Sequence, residues 1–179
     1  MPSRRSILGG LGTGFVASLA GCLTLQTTTG VVERKEIHAS VPGSRGGPVD
    51  MALAVLTSGP DKWVTGEYAD IVSEAVEGSS ISVSETTHNR LTNRFVNVSY
   101  YANIVPSDSP NPANGRLSRT AFNRLSIGGS ASVVPYMKPV DRNSSVGHLW
   151  LRKASPRETP PSDVKISQYD WEERASRRN

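Results

Sequence analysis

The chain has 179 residues, with 20 Lys and Arg against 16 Asp and Glu, and a single cysteine. One cysteine excludes an intrachain disulfide framework, a cysteine-ligated zinc cluster and a cysteine nucleophile working elsewhere in the fold, so a hydrophobic core alone must hold the domain. Aromatic residues at 6%, with 16 glycines and 12 prolines, imply many turns around a small core.

The first element is a leader. Ser3-Arg4-Arg5-Ser6 precedes an uncharged apolar run, residues 7–21, and the run ends in Leu19-Ala20-Gly21 before Cys22. At about 15 residues this run falls short of the ~20 needed to span a bilayer. Four glycines, Gly9, Gly10, Gly12 and Gly14, weaken it further as a helix. A basic start, a modest apolar core and small residues before a cut are the parts of a signal peptide. The arginine pair is an export address.

Residues 3–22 resemble twin-arginine lipoprotein leaders, in particular those abundant in haloarchaea. The resemblance implies Arg4 and Arg5 as the export recognition pair and Cys22 as the lipid-bearing residue at a new N-terminus. It implies a protein anchored on the extracytoplasmic face of the cell membrane, with membrane lipid as its partner through Cys22. It covers the leader only, and no family is recognised for the mature domain. Without residues 1–21 the balance is 18 basic to 16 acidic residues. That near-neutral balance departs from the acidic composition of proteins secreted by salt-loving organisms. It also leaves no electrostatic footprint for nucleic acid, and the basic residues read as scattered except at the extreme C-terminus.

Residues 22–30 read as a polar tether and residues 31–153 as one β-rich domain. Residues 31–41 alternate apolar and polar side chains and predict a strand. Residues 49–56 are the most apolar stretch and predict a central strand, with a turn at Ser58-Gly59-Pro60-Asp61. Residues 67–76 fit either an amphipathic helix or a strand, and a strand is expected over 64–72. From there the chain repeats itself. Ser84-Glu-Thr-Thr-His-Asn-Arg-Leu91 aligns with Ser118-Arg-Thr-Ala-Phe-Asn-Arg-Leu125. Each copy predicts a serine-capped helical turn followed by a strand, at 95–105 and 130–137. Chance similarity in a Ser/Thr/Asn/Arg-rich region is the alternative. Residues 106–115 form a proline-rich loop, Gly128-Gly129 a tight turn, and residues 146–151 a last short strand. Residues 154–179 are expected to be a flexible tail with a short helix near 169–173.

The fold class that follows is mainly β: a small antiparallel barrel or sandwich with one or two short helices, flanked by the signal segment and the flexible tail. No catalytic, cofactor or metal constellation is legible. His38, His88 and His148 share no motif with one another or with a carboxylate. Asn97-Val-Ser99 and Asn143-Ser-Ser145 are glycosylation sequons. The expected function is a non-catalytic surface module that binds an unknown partner or decorates the envelope. Residues 44–48 and 106–115 are its candidate contact loops. The alternative is an extracytoplasmic hydrolase with catalytic residues dispersed along the chain. A cavity lined by convergent polar groups that include His88 or His148 would favour it.

Overall fold

A computed structural model describes residues 26–42, 47–59, 61–109, 111–139 and 145–177. The protein is mainly β, as its turn-rich, alternating sequence requires. Strand β1 (Thr28–Pro42) is the organiser, because fifteen residues are long enough to serve several neighbours. Its first four residues pair with β8 (Ser130–Pro139), and its second half pairs with β2 (Pro48–Ser58). On its other edge it pairs with β6 (Val98–Val105). β-Bulges at residues 32–34 and 37–38 bend it between these partners.

The circuit closes through β7 (Ala113–Leu117) and β9 (Ser145–Ser155) in the order β1-β6-β7-β9-β8-β1. β8 thus returns beside β1 and closes the circuit. β2 carries an extension beyond the barrel: β3 (Val64–Ala69), then β10 (Val164–Tyr169). The sheet is mixed. β7–β9 and β3–β10 are parallel and the other pairings antiparallel. Parallel neighbours cannot be joined by a tight turn, so local sequence carries no sign of them.

Three helices and a 3-10 segment cover the ends. The 3-10 helix (Asp70–Ala75) replaces the last part of the strand expected over 64–72, and a two-strand ribbon, β4 (Val76–Glu77) and β5 (Ser80–Ile81), follows it. The two repeat copies become α1 (Glu85–Arg94) and α2 (Arg119–Asn123). The Ser84 hydroxyl accepts from the Thr87 amide and the Ser118 hydroxyl from the Ala121 amide, the same cap twice. Phe122 and Leu125 are buried together at the barrel end. The copies also touch: the Asn123 side chain accepts from the Val83 amide at 2.9 Å and donates to the Val83 carbonyl at 2.8 Å.

Two expected boundaries move. Thr28, Thr29 and Gly30, read as tether, are the seam of the barrel, paired with Val133, Ser132 and Ala131. On its other edge the same segment lies close to the end of β6, where a Cβ on Gly30 would collide with the Val105 carbonyl oxygen. The tail read as flexible is ordered into a strand and a helix up to residue 177. β10 completes the edge of β3, and α3 (Trp171–Arg177) packs Trp171 edge-on against Phe95 at 5.1 Å. Arg174 grips Glu67 with both terminal nitrogens and lies 3.5 Å over the Tyr169 ring. A strand with so few apolar residues holds its place because a distant edge supplies its hydrogen bonds. Among the described residues no helix is long and apolar enough to cross a membrane.

Candidate functional site

The outer face of the barrel carries a row of polar and aromatic side chains that crosses six strands. Alternation along each strand puts them there, while the opposite positions (Ile37, Ala39, Tyr100, Ala102, Leu117 and Leu149 among them) fill the core. The row begins at Asp50 on β2 and His38 on β1. The His38 ring is held on both sides, by Asp50 at Nδ1 (3.0 Å) and by Glu36 at Nε2 (2.5 Å). Tyr101 on β6 meets that ring edge-on at 5.1 Å. Arg116 on β7 donates to the Tyr101 hydroxyl at 3.1 Å and to the Ser99 hydroxyl. His148 on β9 stands in register with Arg116 and with Tyr136 on β8, and stacks on Tyr136 at 5.4 Å. The Asn103 side-chain oxygen, two residues beyond Tyr101 on the same face, is buried without a hydrogen-bond partner.

The row is electrostatically polarised. Burial lowers the proton affinity of His38, but hydrogen bonds and charge from Glu36 and Asp50 outweigh it and raise the pKa above the usual value. The His38 hydrogen bond in turn lowers the Glu36 carboxyl, with the Arg34 and His38 charges helping. At the other end partial burial and the nearby charges of Lys138 and Arg116 lower the pKa of His148. One end therefore favours a protonated imidazole beside carboxylates, and the other a neutral imidazole among cations.

Inside the barrel a second feature stands apart. Lys35 occupies a core position of β1 at 1% exposure. Its Nζ donates to the Ile81 carbonyl at 2.7 Å and the Leu125 carbonyl at 2.8 Å, and sits 4.2 Å from the Phe122 ring centroid. Burial pushes its pKa down to about 7. It ties Ile81, three residues before the first repeat copy, to Leu125, the last residue of the second.

Of the sites expected from sequence, Arg4, Arg5, Cys22 and Asn143 lie outside the described residues, as do residues 44–46 of the first contact loop. Asn97 is exposed just before β6, but the hydroxyl of Ser99, which completes its sequon, is buried and held by Arg116. His38, read as isolated, has its two carboxylates from the adjacent strand and from two positions along its own. The Glu36-x-His38 alternation was the available signal. His88 pairs with the Tyr100 hydroxyl at 2.7 Å, whose own pKa burial raises to about 12. Three surface cavities of about 320, 360 and 400 Å³ gather around β3, β10 and α3, and no histidine lines them.

Among the described residues the neighbouring strands β7, β9 and β8 carry Arg116, Lys138, Arg152 and Lys153 and no Asp or Glu. No protein-family model, no curated protein and no solved structure matches the chain.

Proposed function

We propose that this is a lipid-anchored protein of the extracytoplasmic membrane face, exported through Arg4 and Arg5 and held by an acylated Cys22, whose barrel is a non-catalytic binding or envelope module. The leader pattern of residues 3–22 carries the reading. Two chains on one cysteine suffice for stable anchoring, where one does not.

The non-catalytic part rests on how the titratable groups are occupied. Both ring nitrogens of His38 are engaged by carboxylates, one ring nitrogen of His88 is engaged by Tyr100, and His148 stacks on Tyr136 among strands whose described residues include no carboxylate to orient it. The strand face of Tyr101 and Arg116 offers instead a surface with a ring and a guanidinium held by hydrogen bonds. The test is detergent phase partitioning of the expressed protein beside Cys22→Ser. The parent enters the detergent phase with a mass that reports a lipid on residue 22, and the variant stays in the aqueous phase. A variant that still partitions with detergent removes the anchor.

A further inference from the structure

The β8–β9 hairpin is the part of the barrel that leaves it. From Pro135 to Pro139 every residue of β8 is exposed. Among the large hydrophobic side chains open to solvent are three on this hairpin: Tyr136 at 41%, Met137 at 63% and Trp150 at 53% exposure. Tyr136 and Met137 are adjacent in a strand and so point to opposite faces, and the hairpin is apolar on both. Cations surround them. Lys138, Arg152 and Lys153 are exposed, and among the described residues none is paired with a carboxylate. The Arg152 guanidinium lies 3.9 Å over the Trp150 ring. The described residues of β7, β8 and β9 include no Asp or Glu.

We propose that the β8–β9 hairpin is a second membrane contact, which lays Tyr136, Met137 and Trp150 into the headgroup region of an anionic lipid surface, with Lys138 and Arg152 on the phosphates. As a second contact it rests on Cys22 as the lipid-bearing residue; the chemistry of the hairpin does not. Tyrosine and tryptophan suit the interface because each has an apolar ring and a polar handle. Basic residues beside them are drawn to anionic headgroups within a Debye length. An acidic polysaccharide shares the charge but has no use for an exposed methionine. Bound this way, the barrel would stand with its His38–Tyr101 face at a fixed orientation to the membrane instead of swinging on a tether.

The experiment uses the full chain with Cys22→Ser, so that no lipid on the protein contributes. Sedimentation with vesicles of phosphatidylcholine plus phosphatidylglycerol is compared with phosphatidylcholine alone. Two further chains carry Met137→Ser with Trp150→Ser, or Lys138→Glu with Arg152→Glu, in the same background, so any contribution of the leader cancels. Unchanged circular dichroism shows that both fold. The expected result is binding to the anionic vesicles that salt weakens, reduced at least about tenfold in the Lys138→Glu, Arg152→Glu chain, as the loss of two interfacial cations implies, and reduced as well in the Met137→Ser, Trp150→Ser chain, which loses interfacial apolar surface. Equal binding by the parent and both variants overturns the proposal. So does retention on an acidic polysaccharide without binding to anionic vesicles, or a glycan found on Asn143 of the exported protein, which would hold the tip in water. Loss of the lipid on Cys22 would be seen in the detergent partitioning and leaves this comparison intact.

Discussion

Lys35 stands where the alternation of β1 calls for an apolar side chain, between Val32 and Ile37, both fully buried. Its cost is the desolvation that lowers its pKa to about 7. In the unfolded chain a lysine holds its proton to about 10.4. Between these values the unfolded state binds more protons than the folded one, so this residue makes stability rise with pH from about 7 upward. Lys35→Met is expected to remove that rise and, by stripping the donor from two buried carbonyls, to cost about 1–3 kcal/mol. Urea unfolding at several pH values reads both effects; an unchanged pH slope in the variant would contradict the first. His38 acts in the opposite sense. Its folded pKa is raised, so its contribution is complete below the unfolded value of 6.5 and is lost as pH rises through the folded one. The two outer-face histidines separate accordingly. In a titration followed by imidazole NMR, His148 loses its proton at lower pH than His38, and the reverse order would refute the electrostatics of the row.

The repeated octapeptide was legible as a local unit because a serine cap and an i, i+3 apolar pair act within one turn. Ser84→Ala and Ser118→Ala are each expected to cost about 1 kcal/mol in thermal unfolding. The tail was not legible, because nothing local stabilises it. β10 gains its hydrogen bonds from β3, a hundred residues away in the chain, and α3 gains its packing from Phe95 and Arg94, whose guanidinium lies 4.9 Å from the Trp171 ring. Trp171→Ala removes both contacts from a half-buried ring, and a loss of about 2 kcal/mol is expected. Limited proteolysis checks the element itself: cleavage between β9 and β10 becomes fast in the variant and stays slow in the parent.

At the scale of the molecule the barrel depends on one seam, four residues of β1 against four of β8. Beside that seam Gly30 lets the start of β1 lie against the end of β6, since any side chain there meets the Val105 carbonyl. Gly30→Val is therefore expected to push the start of β1 off the end of β6 before it unfolds the protein. Hydrogen exchange should then speed up in residues 28–31 and 103–105, with β2 and β3 unchanged; uniform acceleration would mean that this junction is not a separate unit. The closed circuit also assembles the outer row. It sets Arg116 beside Tyr101 and His148, residues 15 and 32 positions away.

Cap serines, turn glycines and alternating strands are short-range devices, and the amino-acid order by itself determined them: a mainly β domain and two capped turns. Tertiary structure alone decided the mixed strand order, the use of residues 28–30 and 164–169 as sheet, the burial of Lys35 and the row from Asp50 to Tyr136. Each of these joins groups whose neighbours come from other strands, and the hydrogen bonds and desolvation that fix them exist only once the sheet has closed.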